Sequence, residues 1–95
     1  MGEKNADKRL ILNISGLVQG VFFRMETAGK AEKMGLRGWV KNMPDGTVRV
    51  VAEGDAKMLE TFKKWCRKGP EFAKVEKLEE NWERATGEFK NFEIT

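Results

Sequence analysis

Histidine and tyrosine are absent from this 95-residue chain, cysteine occurs once and proline twice. Without histidine the usual general base at neutral pH is missing, and no Cys/His zinc pattern can be assembled. A single cysteine excludes an internal disulfide framework and points to a reducing compartment. No apolar run approaches the ~20 residues of a membrane-spanning helix. The polar stretch Met1–Arg9 has no signal-peptide core. The expectation is a soluble cytoplasmic protein with no membrane partner. Charge of one sign is lacking too: 18 basic residues face 15 acidic ones, finely mixed, for a net +3. A nucleic-acid binder concentrates its basic residues in a stripe, and none is present. The small positive balance suits a small anion.

What is present is enough for one packed domain. Hydrophobic residues make up 40% of the chain, with three Trp and six Phe, and this length buries a core without metal or disulfide support. Residues 1–95 read as a single domain, with 1–8 a flexible tail. Leu10–Ile14 alternates like a strand, and Gly16–Val21 reads as loop. Phe23–Met34 turns helical, with Thr27, Ala28, Ala31 and Met34 on one stripe and Gly35 as the stop. Gly38–Asn42 and Thr47–Ala52 read as a hairpin across Met43-Pro44-Asp45-Gly46, whose Pro and Gly are turn formers. Asp55 caps a second helix ended by Gly69-Pro70, with Cys66 on its apolar stripe as a buried thiol. Val75, Leu78 and Trp82 fit a helix, whereas Leu78, Glu80 and Trp82 fit a strand. Phe92 and Ile94 alternate as a short terminal strand. The order is βαββαβ plus one strand, an α+β ferredoxin-like sandwich. It has an antiparallel sheet, both helices on one face and an extra C-terminal edge strand. The crossover helix is expected to set strand three parallel to strand one.

One stretch breaks a local rule. In Gly16-Leu17-Val18-Gln19-Gly20-Val21-Phe22-Phe23-Arg24, an arginine stands in the first turn of a helix. A helix N-terminus already carries about half a positive charge, so the cation makes sense when an anion lies between them. Gly16 and Gly20 shape a loop that can aim successive amides at one point, and Arg24 adds a planar fork of donors. The alternative is an ordinary turn. No Gly-Lys-Ser/Thr follows, so nucleotide triphosphate binding has no support. Asn42, at the end of a strand, either caps the turn beside it or orients a water. Asp45 serves the turn. With few bases to hand, hydrolytic chemistry here would rest on positioning and electrostatics.

These residues resemble the acylphosphatase family. The likeness spans roughly Leu10–Ile94 and rests on two signatures: Gly16–Arg24 as quoted, and Gly38-Trp39-Val40-Lys41-Asn42-Met43-Pro44-Asp45-Gly46-Thr47-Val48, extending to Gly54. The resemblance implies a ferredoxin-like sandwich that hydrolyses acyl phosphates to a carboxylate and inorganic phosphate. It implies that Arg24 and the amides of Gln19, Gly20, Val21, Phe22 and Phe23 bind the phosphoryl oxygens, and that Asn42 holds the water. The substrate's own phosphate accepts the proton, and no metal or cofactor is implied. Inorganic phosphate and other small anions are expected as product or inhibitor, and the protein as a free-standing monomer. Two positions depart from the family pattern. Glu80 stands where an apolar residue is usual, which predicts a bulged or partly exposed strand four. Met25-Glu26 is an unusual pair after the arginine.

Two other readings belong to different classes. RNA-recognition modules share this element order but stack bases on aromatics of strands one and three; Leu10–Ile14 and Thr47–Ala52 contain none. A catalytically silent anion-binding domain would carry the same site residues.

Overall fold

Alternation along the first strand sets one wall of the core. The computed structural model describes residues 7–95, and within them β1 spans Lys8–Leu17. Leu10, Leu12 and Ile14 are buried in the core, while Arg9, Ile11 and Asn13 point to the opposite face, as the two-residue period of a strand requires. The chain continues through α1 (Phe23–Lys33), β2 (Arg37–Asn42), β3 (Val48–Gly54), α2 (Ala56–Lys68), β4 (Lys74–Arg84) and β5 (Phe92–Ile94). The expected tail over residues 1–8 lies outside the described residues up to residue 6. Beyond that, Asp7 bonds Arg37 at 2.7 Å, and Lys8 opens β1 rather than belonging to a tail.

The sheet order is β4-β1-β3-β2-β5. Strand three runs antiparallel to strand one, which corrects the expected parallel direction. The crossover through α1 makes β2 the parallel partner of β1, one strand removed; the hairpin then reverses the chain, and β3 enters between them antiparallel to both. β5 pairs with β2 in parallel, so the added edge strand makes the sheet mixed.

Both helices cover the face that carries Leu10, Leu12 and Ile14. From α1, Phe23, Thr27, Ala28 and Ala31 are buried; from α2, Leu59, Phe62 and Cys66. Burial removes each large apolar side chain from water for roughly 1.5–3 kcal/mol. The Cys66 thiol is pushed far above its ordinary pKa by that burial, so it is a packing residue and not a nucleophile. Phe62 meets Phe92 edge-on at 6.3 Å, a contact that docks β5 against α2.

The helix-or-strand ambiguity over 75–82 resolves as strand: β4 pairs along the whole of β1. Glu80 lies on the helix-facing side opposite Leu12, yet it is not stranded. Its carboxylate accepts from Trp82 Nε1 at 2.8 Å and Lys63 Nζ at 3.1 Å. These two bonds hold its pKa below the ordinary carboxylate value, with Trp82 the larger influence. Strand four is bulged elsewhere, where the register shifts between Ser15 and Gly16.

Candidate active site

The loop begins two residues later than its sequence suggests. Gly16 belongs to β1, with φ of 123°, a backbone conformation that favours glycine. A Cβ there would lie 2.1 Å from the Lys74 carbonyl oxygen. Gly16 therefore shapes the end of the strand, and the loop itself is Val18–Phe22, between β1 and α1. Val18 is buried and pins the loop to the core, leaving four residues to form the turn.

Those residues have an unusual backbone. Gly20 has φ of 75° and Phe22 φ of 63°, and Phe22 is the one non-glycine residue at positive φ among those described. Val21 and Phe23 are not at positive φ, so the sign alternates from Gly20 to Phe23. Alternating handedness turns successive N–H groups toward one concave side, which is the geometry of an anion nest. Among the described residues, the amides of Gln19, Gly20, Val21 and Phe22 donate to no protein acceptor. Directly after them come the first amides of α1, which an α-helix leaves without internal partners.

Gly20, Phe22, Phe23, Arg24 and Asn42 line one cavity of about 290 Å³. Arg24 Nη1 donates to the main-chain oxygen of Thr95 at 3.2 Å, which steadies the side chain and leaves most of its five donors free. No Asp or Glu side chain pairs with Arg24 among the described residues. A helix N-terminus, a nest and a guanidinium with donors to spare therefore share one cavity, and their combined field favours an anion.

Asn42 arrives from the last position of β2. Its Oδ1 is buried and has no hydrogen-bond partner, a state that costs about 1–3 kcal/mol unless something outside the chain relieves it. An Asn that merely capped the neighbouring turn would be satisfied by it. That turn is served by Asp45, which accepts from Thr47 Oγ1 at 2.7 Å and Thr47 N at 3.0 Å. The Thr47 hydroxyl, with its amide second, holds the Asp45 carboxyl below its ordinary pKa.

Gln19 and Val21 do not line the cavity. Val21 packs against the core. The Gln19 side chain has a job its sequence position did not reveal: Nε2 donates to Met43 O at 2.9 Å and Thr47 O at 2.8 Å. It ties the nest to the turn that follows Asn42. Met25 and Ile94 also line the cavity; the sequence marks Met25 only as an unusual neighbour of the arginine and Ile94 only as a strand residue. Ile94 is 70 positions from Arg24 and reaches the site only because β5 pairs with β2. Glu26 is exposed and stays outside.

The outer face of the two central strands presents Ile11, Asn13, Arg49 and Val51 and no aromatic, so it offers no base-stacking platform. Among the described residues, no helix is long and apolar enough to cross a membrane.

A family model described as Acylphosphatase matches residues 10–94. An acylphosphatase of Methylococcus capsulatus is 46% identical over 87 residues, which cover 92% of this chain and 95% of that one. One of Pelotomaculum thermopropionicum is 47% identical, over 85% of this chain and 88% of that one. The crystal structure of an acylphosphatase from Bacillus subtilis superposes with a TM-score of 0.89 at 34% identity, over 93% of this chain and 98% of that one.

Proposed function

The chain belongs to the acylphosphatase family and is an acylphosphatase hydrolase, and from that premise we propose which of its atoms carry the reaction. The phosphoryl group of an acyl phosphate sits in the nest. The amides from Gln19 to Phe23 and the free donors of Arg24 bind its oxygens. Asn42 Oδ1 accepts a hydrogen bond from the attacking water and aims the water's lone pair at phosphorus. A P–O(water) bond forms and the bond from phosphorus to the acyl oxygen breaks. The electron pair leaves with the carboxylate, and the water proton passes to a phosphoryl oxygen of the substrate.

The observation that carries this reading is that Asn42 lines the same cavity as Arg24 while its Oδ1 has no hydrogen-bond partner among the described residues. Catalysis then rests on donors fixed in advance where charge collects. Each such donor is worth on the order of 10²–10³ in rate. Inorganic phosphate and other small anions compete for the nest. The protein works as a cytoplasmic monomer, with no metal or cofactor in the reaction.

The test is hydrolysis of benzoyl phosphate with a chelator present. Arg24→Ala is expected to lower kcat/KM by at least 10²-fold; near-normal turnover overturns its role. Asn42→Ala is expected to lower kcat while the phosphate dissociation constant, by calorimetry, moves less than about threefold. A parallel collapse of phosphate affinity would show that Asn42 holds the anion and not the water.

A further inference from the structure

The nest explains only part of the cavity. A volume of about 290 Å³ is on the order of ten water volumes at ~30 Å³ each, more than a phosphoryl group fills. What surrounds the remainder is apolar. Phe22, Met25 and Ile94 line it while 66%, 56% and 48% exposed. Among the described residues, Arg24 is the one charged side chain in the lining.

Phe22 is held outward at a cost, because it is in the left-handed region, which is unfavourable for a bulky L-residue. The alternation that builds the nest needs that backbone, but not a phenyl ring upon it. Met25, on the first turn of α1, stands directly after the phosphate-facing arginine. Ile94 comes from β5 opposite Val40. The three reach one cavity from a loop, a helix and a strand, and they line it together with Arg24 and Asn42.

We infer that Phe22, Met25 and Ile94 form an acyl shelf that selects uncharged aromatic acyl phosphates. This rests on the acyl phosphate reading above. A phosphoryl group in the nest leaves its acyl substituent in the remaining space. An arene there stacks on Phe22 and touches the polarisable sulfur of Met25. A carboxylate carried on the acyl group would lie against apolar side chains and, among the described residues, find no second cation in the lining to pair with.

The test compares benzoyl, acetyl and succinyl phosphate on the wild type, Met25→Ser and Ile94→Thr. It adds the affinities of phenylphosphonate and methylphosphonate, which cannot be hydrolysed, by calorimetry. Neither substituted residue bonds the phosphoryl group. Each variant is expected to raise the benzoyl phosphate KM about three- to tenfold. Acetyl phosphate kinetics should stay within twofold, and the phenyl-over-methyl affinity ratio should shrink by a similar factor. A wild-type KM for succinyl phosphate as low as for benzoyl phosphate overturns the shelf. So does an equal loss for benzoyl and acetyl phosphate in the variants. The two readings fail separately: if no acyl phosphate is hydrolysed while phenylphosphonate binds in the Met25-dependent way, the reaction is wrong and the shelf stands. If all three are hydrolysed with ratios that neither variant moves, the reaction stands and the shelf is wrong.

Discussion

Phe22 concentrates the conflict between local preference and site geometry. Its positive φ is strain placed where the amides must converge, as sparsely populated backbones often are at functional sites. The ring makes little of this back, being two-thirds exposed at 66%. Phe22→Gly therefore removes more strain than packing. Relief of ~1–2 kcal/mol is set against ~0.5–1 kcal/mol of glycine chain entropy, so urea unfolding is expected to show a variant as stable as the wild type or slightly more so. Phe22→Val, β-branched in the same conformation, is expected to lose about 1–2 kcal/mol. Equal stabilities for the two variants would mean that the backbone at this position is not strained. Arg24 follows the same logic in charge. A cation at the positive end of α1, with no Asp or Glu side chain paired to it among the described residues, favours an anion beside it. That oddity is visible in the sequence, because helix starts and residue charges are both local properties.

At the scale of elements, what was legible is what depends on neighbours in the chain. Asp55 was readable as a cap, and its carboxylate accepts from the amides of Lys57 and Met58 at 3.0 and 3.2 Å. Asp55→Ala is expected to cost about 1 kcal/mol, as caps generally do, with unchanged turnover; a change below 0.3 kcal/mol in denaturant unfolding would count against the cap. The hairpin and both helices were likewise legible, and Arg24 and Asn42, taken from the two signatures, line one cavity. What was not legible depends on partners far along the chain. The stretch from Val75 to Trp82 has two periods at once, and only pairing with β1 over its full length selects the strand. Gly16 looks like a loop glycine until the bulge opposite Lys74–Lys77 is formed. The direction of β3 follows from the crossover and the hairpin together; only its insertion between β1 and β2 depends on distant partners. Met25 and Ile94 belong to no motif and line the cavity only because α1 and β5 pack where they do. The Gln19 side chain couples the nest to the Asn42 turn through partners 24 and 28 positions away, which no local pattern encodes.

Across the whole molecule, the back of the sheet steadies the front through Glu53. This carboxylate is fully buried on the face away from the helices. It accepts from Arg9 Nε at 2.7 Å, Thr86 N at 2.9 Å and Gly87 N at 3.0 Å. It thereby clamps the segment between β4 and β5 over the sheet. That segment leads into β5, whose Ile94 lines the cavity, and on to Thr95, whose main-chain oxygen holds Arg24. Burial works to raise the Glu53 pKa, but the Thr86 amide, Arg9 and the Gly87 amide together outweigh it and hold the carboxyl below its ordinary value. In the native state the group therefore keeps its charge to lower pH than in the unfolded chain, where it protonates near 4.3. Between those two pKa values the unfolded chain binds more protons, so stability rises with pH through that window. The contribution is complete above about pH 5 and is lost as pH falls through the native pKa. Glu53→Gln, which keeps the shape but not the charge or all the acceptors, is expected to cost on the order of 2–4 kcal/mol at pH 7. Its unfolding free energy should also fall less steeply than that of the wild type from pH 5 to pH 3. Because the clamp acts on Arg24 only through β5, the variant is expected to raise KM for benzoyl phosphate more than it lowers kcat. A stability difference that stays constant across that pH range would show that the carboxylate charge is not what holds the clamp. An unchanged KM would show that β5 keeps its place without it.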